Sequence, residues 1–215
     1  MNKMKKYRNV VWDYNGTIID DAKLAVDAEN VVLKSYGKSP ITLDYYLKEC
    51  EMPILNFYNK IFDMEKYDFS EIARRFVENY DLLFETAGVF PEVKSMIELL
   101  GKKGYRQGVI SGFESSRLVS SLEKFKLDGY FEFMSGADDI ACGDKSRRAA
   151  AVCEKYDFLP NETLFVGDMY HDFETARCVG ADCVLIAKGH QGAEVLRSYD
   201  VNVLDSAQEL KTILL

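Results

Sequence analysis

The segment Tyr7-Arg8-Asn9-Val10-Val11-Trp12-Asp13-Tyr14-Asn15-Gly16-Thr17-Ile18-Ile19-Asp20 carries the strongest structural signal in the chain. Residues 10–12 are a short apolar run of strand-forming side chains, and Asp13 and Gly16 end it. This is the pattern of a buried strand that leads into a tight loop. Sites in open parallel sheets form beyond the carboxyl ends of the strands. A carboxylate at such an end is a nucleophile, a metal ligand or the cap of a following helix, and this segment alone leaves all three open.

The composition is that of an ordinary globular protein, and it does not exclude a small anionic substrate. At 215 residues the chain has room for one or two domains, and 47% hydrophobic and 29% charged residues are typical of soluble folds. The net charge of −8 argues against a broad nucleic-acid or anionic-membrane surface. No apolar run is long enough to span a membrane, and residues 1–8 are not the start of a signal peptide. The sequence favours neither a monomer nor a homodimer.

The cysteine and histidine content predicts a cytoplasmic protein without a cysteine- or histidine-built metal site. The cysteine count is odd and no pair has C-x-x-C spacing, which favours a reducing compartment over a disulfide framework or a zinc site. The five cysteines are Cys50, Cys142, Cys153, Cys178 and Cys183. Of the two histidines, His171 and His190, we expect His171 to be a surface neighbour of Asp172.

Residues 21–86 show the periodicity of consecutive helices. Apolar side chains recur at helical spacing after Asp21, after Thr42, after Pro53 and from Ser70 to Phe84. Ser70 and Glu71 have the pattern of a helix start, and Asp20 and Asp21 are expected to cap the first helix. We interpret the aromatic side chains of this segment as its core: Tyr45, Tyr46, Phe57, Tyr58, Phe62, Phe76, Tyr80 and Phe84.

From Gly88 onward, predicted helices and strands alternate. Helices are expected at 91–101, 115–125, 146–156, 173–179, 191–199 and 207–214, with strands at 105–110, 130–134, 163–166, 183–187 and 201–204. Such alternation implies right-handed crossovers and a parallel sheet. The predicted fold class is α/β, a doubly wound parallel sheet with an α-helical cap inserted after the first strand. Residues 1–19 and 88–215 would form the core domain, and residues 20–87 the cap.

Polar side chains follow the ends of several predicted strands and would meet at one edge. Asp13, Asn15 and Thr17 follow the first strand; Ser111 and Gly112, Asp144 and Lys145, and Asp168 and Asp172 follow later ones. This set suits phosphoryl transfer. Carboxylates are hard ligands for Mg²⁺, while a serine, backbone N–H groups and a lysine hold phosphoryl oxygens. Attack by the first aspartate would form an aspartyl-phosphate that water then opens.

These motifs, in this order, resemble the four motifs of the haloacid dehalogenase-like (HAD) hydrolase superfamily. The segments are Trp12-Asp13-Tyr14-Asn15-Gly16-Thr17, Val109-Ile110-Ser111-Gly112, Lys145, and Phe165-Val166-Gly167-Asp168-Met169-Tyr170-His171-Asp172. The run Ala176-Arg177-Cys178-Val179-Gly180-Ala181-Asp182 is similar to the helix after the last motif in the phosphoglycolate phosphatase-like branch. Residues 20–87 resemble the small helical cap of that branch in position and helicity.

The resemblance implies a Mg²⁺-dependent phosphatase of a small phosphorylated metabolite, a phosphoric monoester hydrolase that works through an aspartyl-phosphate. It implies Asp13 as nucleophile and metal ligand, with the carbonyl of residue 15 and Asp168 as further metal ligands. Asp172 would position Lys145 or a metal-bound water. We accordingly predict catalytic roles for Asp13, Asn15 and Lys145, substrate binding by Thr17, Ser111, Gly112 and Lys145, and metal binding by Asp13, Asn15, Asp168 and Asp172.

Asn15 departs from the resemblance, because phosphatases of this superfamily mostly carry an aspartate there as general acid and base. An amide takes neither role. We therefore expect poor turnover of alkoxide esters and less effect on anhydrides and acyl phosphates. Asn15→Asp is expected to speed up hydrolysis of alkoxide esters. The alternatives are a dehalogenase, a phosphonate hydrolase that uses a cap lysine, or a weakly active phosphate-binding regulatory protein.

Overall fold

The computed structural model describes residues 7–137 and 145–215 and is built on a parallel sheet. The strands are β1 (Asn9–Trp12), β2 (Ile19–Asp20), β3 (Gly88–Val89), β4 (Arg106–Glu114), β5 (Phe133–Ala137), β6 (Thr163–Gly167), β7 (Asp182–Ile186) and β8 (Asn202–Leu204). Six of them form one sheet in the order β5-β4-β1-β6-β7-β8, and every neighbouring pair is parallel. The predicted α/β fold class is confirmed, with β1 in the interior of the sheet.

Helices that follow β3 pack against both faces of this sheet, and the first four helices form the segment between β2 and β3. In chain order, the ten helices of the described residues are α1 (Ala22–Ser35), α2 (Leu43–Glu49), α3 (Leu55–Ile61), α4 (Phe69–Phe84), α5 (Pro91–Lys102), α6 (Ser115–Lys124), α7 (Lys145–Lys155), α8 (Tyr170–Val179), α9 (Ala193–Leu196) and α10 (Leu210–Leu214). Because side chains alternate along a strand, Val10 and Trp12 of β1 pack with α5, α6 and α10, while Val11 packs with α7 and α8. Both faces of β1 are therefore buried, as its continuous apolar run predicts.

Helices α1 to α4 follow β2 and precede β3, and these two short strands pair antiparallel. This two-stranded sheet was not predicted. The aromatic core predicted for the helical segment is largely observed, since Tyr46, Phe57, Tyr58, Phe62 and Tyr80 are buried, although Tyr45 is exposed. The segment contacts the carboxyl edge of the main sheet, because Tyr46 of α2 and Tyr80 of α4 reach side chains that follow β1 and β7.

Several predicted boundaries were wrong. Helix α4 is capped by Asp68, whose Oδ1 accepts a hydrogen bond from Ser70 N at 3.0 Å, so Ser70 is not the cap. Strand β4 continues past Ile110 to Glu114 with a register shift. A 3₁₀ turn occupies 128–130, so β5 begins at Phe133. The helix predicted at 191–199 is reduced to α9. Asp144 and Cys142 lie outside the described residues.

The helices were compared with the length and hydropathy of membrane-spanning segments. Within the two described ranges, none of the helices has the length and apolarity that crossing a bilayer demands.

Glu29 is a buried carboxylic acid in the helical segment. Its side chain is on α1, the residue is 2% exposed, and Oε2 accepts a hydrogen bond from the Tyr58 hydroxyl at 3.0 Å. Within the described residues, Oε1 has no hydrogen-bond partner. Burial raises the pKa of Glu29 from 4.5 to about 7, although the Tyr58 hydrogen bond opposes this rise. Glu29 is therefore protonated in the folded protein at pH values where it ionises in the unfolded chain.

This pKa predicts a loss of stability as the pH rises. Below pH 4.5 both states bind the proton, and between 4.5 and about 7 the unfolded chain releases it first, so the free energy of unfolding falls. Glu29→Gln keeps an acceptor for Tyr58 and removes the ionisation. The free energy of unfolding of the variant minus that of wild type should increase by about 3 kcal/mol from about pH 4 to about pH 8. Urea unfolding at both pH values measures this difference. A difference that does not change with pH would contradict this assignment.

Candidate active site

The carboxyl edge of the sheet brings three aspartates together. Asp13 directly follows β1 and Asp168 directly follows β6, its neighbour in the sheet. The main chain fixes this arrangement, since Asp13 N donates to Val166 O at 2.8 Å. Asp172 lies in the first turn of α8, and ligand atoms of the three carboxylates all lie within 4.8 Å of one another. Predicted from separate motifs, these residues form one acidic cluster.

Lys145 lies between two of these carboxylates. It is the first residue of α7, and its Nζ donates to Asp13 Oδ1 at 2.5 Å and to Asp172 Oδ1 at 2.6 Å. The lysine is buried, so little water screens the two contacts. This geometry places an ammonium group beside the proposed nucleophile.

The remaining oxygens of Asp168 and Asp172 accept hydrogen bonds from the surrounding loops. Asp172 Oδ2 accepts from Asp168 N at 3.1 Å and from Met169 N at 3.0 Å. Asp168 Oδ1 accepts from Thr17 Oγ1 at 2.7 Å, and its Oδ2 accepts from His190 N at 2.7 Å. The Thr17 hydroxyl thus orients Asp168. Asp172 Oδ1 accepts from Lys145 Nζ while its Oδ2 is held by two backbone N–H groups, so this carboxylate orients the lysine.

Two glycines make room for the Asp168 carboxylate. Gly16 has φ +72°, and a Cβ built on it would overlap with Asp168 Oδ2. A Cβ built on Gly189 would overlap with the same oxygen and with the Gly16 carbonyl. The loops after β1 and β7 therefore approach this carboxylate more closely than any other residue type would allow.

Ser111 and Gly112 lie in the last part of β4, next to β1 in the sheet. Ser111 is buried, its Oγ accepts from Phe113 N at 3.0 Å, and it donates to Asn15 Oδ1 at 3.4 Å. Arg148 Nη2 donates to the Ser111 carbonyl at 2.6 Å. The serine hydroxyl thus lies against the side chain of residue 15, as expected if both face one ligand.

Asp21 and His190 form a buried pair at this edge. Asp21 Oδ1 lies 3.2 Å from His190 Nε2, and the His190 Nδ1 lies 2.9 Å from the Tyr46 hydroxyl. Asp21 is the N-cap residue of α1 by position, but its side chain makes no capping hydrogen bond. The prediction that its carboxylate caps α1 was wrong, because donors of the site engage it instead. His171, by contrast, is partly exposed and lies 3.5 Å from Glu174.

Charge is concentrated in this small volume. Burial raises the pKa of Asp13, the Lys145 ammonium opposes this rise, and the negative charges of Asp172 and Asp168 add to it. Burial also raises the pKa of Asp168 to about 6, although the charge of His190 lowers it. Burial alone would lower the pKa of Lys145, but the charges of Asp13 and Asp172 outweigh it. The carboxylates repel one another, and a bound cation would relieve this repulsion.

The Asp21–His190 pair is charged on both sides. Burial alone would lower the pKa of His190, but the Asp21 carboxylate outweighs it and raises this pKa to about 9. Burial alone would raise the pKa of Asp21, but the His190 charge, with hydrogen bonds from His190, Tyr80 and Asn15, holds it below its usual value. Asp21 is therefore an anion at neutral pH and does not supply a proton.

Comparison with known proteins assigns the chain to a family. Residues 10–186 match the model of the haloacid dehalogenase-like hydrolases. The chain belongs to this hydrolase family. The match runs from β1 to β7 and so includes every residue of the acidic cluster.

The relatives agree with this assignment. The chain is 25% identical to a phosphoglycolate phosphatase of Pseudomonas fluorescens over 216 residues, which cover 94% of this chain and 78% of that protein. It is 24% identical to the pyrophosphatase PpaX of Bacillus mycoides, with 97% of each chain covered. A haloacid dehalogenase-like hydrolase structure from Streptococcus pneumoniae has a TM-score of 0.80 at 16% identity, covering 96% of this chain and 97% of that one.

Sequence analysis missed the roles of Asp21, Tyr80 and His190. Tyr80 donates a short hydrogen bond to Asp21 and accepts one from Asn15 Nδ2 at 3.0 Å. No motif marks these residues, which lie on different loops and helices far apart in the chain. The one available signal was the scarcity of histidine, since His190 is one of two.

Proposed function

We propose that this hydrolase is a Mg²⁺-dependent phosphatase of a small phosphorylated metabolite, with an aspartyl-phosphate intermediate on Asp13. The observation that carries this proposal is Lys145 Nζ bridging Asp13 and Asp172 beside Asp168 at the sheet edge. A buried nucleophile with an ammonium group next to it suits attack on an anionic phosphate.

In the proposed reaction a carboxylate oxygen of Asp13 attacks phosphorus and displaces the leaving group. The acyl phosphate formed on Asp13 is then attacked at phosphorus by water, which releases phosphate and restores the carboxylate. The Lys145 ammonium, the Ser111 hydroxyl and backbone N–H groups near Gly112 would hold the phosphoryl oxygens. The lysine thus offsets the repulsion between the nucleophile and the phosphate.

The donor set fits Mg²⁺. Carboxylates are the hard oxygen ligands this ion prefers, and the acidic cluster is crowded with them. We propose Asp13, Asp168 and the carbonyl of Asn15 as ligands, with Asp172 in support. When bound, the ion would neutralise negative charge on the nucleophile and the phosphoryl group.

Asn15 indicates which leaving groups the site accepts. Its amide has no proton to give at neutral pH, and the anionic Asp21 beside it does not provide one either. Anhydrides and acyl phosphates depart as stable anions and need none. We propose a small phosphoanhydride or acyl phosphate as substrate. The relative named as a pyrophosphatase supports this choice, because pyrophosphate is an anhydride.

Lysines of the helical segment do not favour a Schiff-base reaction. Lys23 and Lys60 form ion pairs with acidic residues of the same segment. Lys38 and Lys66 lie over the ring of Tyr67, a residue between α3 and α4. These contacts hold four of the six lysine ammonium groups of residues 20–87 on the helical segment itself, and the other two lysines, Lys34 and Lys48, are exposed. This supports phosphate hydrolysis over phosphonate hydrolysis.

The odd number of cysteines supports placing the protein in the reducing cytoplasm.

Steady-state hydrolysis of a panel of compounds tests this function. Pyrophosphate, acetyl phosphate, p-nitrophenyl phosphate and phosphoglycolate, each with Mg²⁺ and with EDTA, separate the proposed activity from its alternatives. We expect turnover with Mg²⁺ that is fastest for the anhydrides. Hydrolysis of chloroacetate or phosphonoacetaldehyde in place of all four phosphates would contradict the proposal.

Mg²⁺ binding should also be visible without activity. A ligand that binds only the native state raises its melting temperature by mass action, so millimolar Mg²⁺ should raise Tm relative to EDTA. Asp168→Ala should remove most of this shift because it deletes a proposed ligand. Comparing the shift within each protein removes any loss of stability from the substitution itself. An equal shift in both proteins would rule out Asp168 as a ligand.

A further inference from the structure

Asp21 is a fully engaged anion next to the side chain of residue 15. It is 1% exposed, and its Oδ2 accepts hydrogen bonds from Asn15 Nδ2 at 2.8 Å and from the Tyr80 hydroxyl. Its Oδ1 accepts from Gly16 N at 2.7 Å and faces His190 Nε2 at 3.2 Å. Asp21 thus offers acceptors on the side of Asn15 that faces away from Ser111.

This arrangement allows one orientation of the Asn15 amide. In the observed orientation Nδ2 donates to Asp21 Oδ2 and to the Tyr80 hydroxyl, and Oδ1 accepts from Ser111 Oγ. The flipped amide would place its oxygen against the Asp21 carboxylate, with two acceptors facing each other and the amide nitrogen left without its buried acceptor. An unmade buried hydrogen bond is costly, so Asp21 selects the observed orientation.

We propose that Asp21 is a positioning residue that holds the Asn15 amide oxygen toward the phosphoryl site, and that residues 15 and 21 form a matched donor–acceptor pair. The pairing of the two residues rests on their hydrogen bond alone. Its consequence for leaving groups rests on the proposed function. An amide oxygen held in this way can orient a water molecule but cannot accept its proton, and it gives no proton to a leaving group.

The pair changes the expected effect of an aspartate at position 15. Asn15→Asp alone would place two carboxylates at the 2.8 Å spacing that now joins a donor to an acceptor. The sequence alone predicts faster hydrolysis of alkoxide esters by Asn15→Asp. That prediction leaves out the repulsion between Asp21 and the new carboxylate. The new carboxylate would be repelled, and its orientation toward the phosphoryl site would be lost.

An exchange of the two residue types should avoid this conflict. With Asn15→Asp and Asp21→Asn together, the new amide at position 21 would donate to the new carboxylate at position 15. Its oxygen would still accept from Gly16 N and His190, and the Tyr80 hydroxyl could turn to donate to position 15. The number of hydrogen bonds and the net charge are both retained.

The test compares wild type, Asn15→Asp, Asp21→Asn and the double variant, in stability and in leaving-group dependence. Each single variant should lower Tm by roughly 5 °C or more. The double variant should recover part of this loss, because it restores the hydrogen bond between positions 15 and 21 but not the Asp21–His190 ion pair. Activity is measured with p-nitrophenyl phosphate and with glycerol phosphate, which has a poor leaving group. A well-placed acid contributes on the order of 10²–10⁴-fold. We therefore expect the ratio of glycerol phosphate activity to p-nitrophenyl phosphate activity to be at least about 10²-fold higher in the double variant than in wild type.

Asp20 provides the matched control. It is exposed, adjacent in sequence and carries the same charge. Asn15→Asp with Asp20→Asn has the same composition and net charge as Asn15→Asp with Asp21→Asn. It leaves the Asp21 carboxylate beside position 15, so it should behave like Asn15→Asp alone. If the double variant restores Tm without changing the leaving-group dependence, the role of Asp21 is purely structural, and the positioning role is overturned.

Two further results would also overturn the proposal. One is a loss of Tm in the double variant equal to the sum of the two single losses. The other is a gain on glycerol phosphate in Asn15→Asp as large as in the double variant. If none of the proteins, wild type included, hydrolyses either ester or pyrophosphate, the proposed function fails. The Tm values of wild type, the two single variants and the double variant would still decide whether residues 15 and 21 are paired.

Discussion

Asp13→Asn is expected to lower kcat by at least about 10⁴-fold for every phosphorylated compound that the wild-type protein hydrolyses. The amide oxygen is a poor nucleophile, and no other described carboxylate occupies the position next to Lys145 Nζ that Asp13 holds. Asp172 is bonded to the same ammonium, but two backbone N–H groups hold its second oxygen. It therefore does not replace Asp13 as nucleophile.

The measurement is steady-state turnover of acetyl phosphate and p-nitrophenyl phosphate at saturating Mg²⁺, with Tm recorded for each protein. Asp20→Asn is the control, since it makes the same chemical change at an exposed position and should retain wild-type kcat. A folded Asp13→Asn protein with more than a tenth of wild-type turnover would rule out the covalent mechanism.

Lys145→Met should produce the second large effect, on both activity and stability. Lys145 is buried and its Nζ is the cation between Asp13 and Asp172. Removing one side of a buried ion pair costs about 3–5 kcal/mol, because the remaining charges lose their partner. Loss of a charge that stabilises the transition state should lower kcat/KM by about 10²–10³-fold. Urea unfolding and binding of the phosphate mimic tetrafluoroaluminate measure the two effects.

Two further variants distinguish the effect of removing the buried charge of Lys145 from the effect of removing any lysine of α7. Lys155→Met removes an exposed lysine from the end of the same helix and should have little effect. Adding Asp13→Asn to Lys145→Met removes one uncompensated carboxylate, so the losses of stability should not add. Wild-type stability and wild-type mimic affinity in Lys145→Met would contradict both roles assigned to this lysine.

Much of the fold was predictable because the decisive signals are local. The apolar run at 10–12, the glycine-ended strands and the helix–strand alternation depend on neighbouring residues, and they gave a parallel sheet with the correct order of elements. From this followed the shared edge, since parallel strands place their carboxyl ends on one side. The grouping of Asp13, Lys145 and Asp168 was therefore predictable from the sequence.

The rest of the site depends on contacts between distant residues. Asp21 has a normal helix-cap pattern in the sequence, and its actual partners include Tyr80 and His190, which are 59 and 169 residues away. Periodicity does not reveal such pairs. For the same reason, the pairing of β2 with β3 was not predicted, because each strand has only two residues and joins a partner across the helical segment.

Trapping the covalent intermediate tests the central claim most directly. Wild-type protein is mixed with acetyl phosphate and Mg²⁺, quenched in acid within the first turnover, digested and analysed by mass spectrometry, with Asp13→Asn treated in parallel. We predict one phosphoryl group on the wild-type peptide that contains Asp13, removable by hydroxylamine, and none on the same peptide of the variant. Turnover of acetyl phosphate with an unmodified Asp13 peptide at every quench time, or a phosphoryl group on any other residue, would contradict the account.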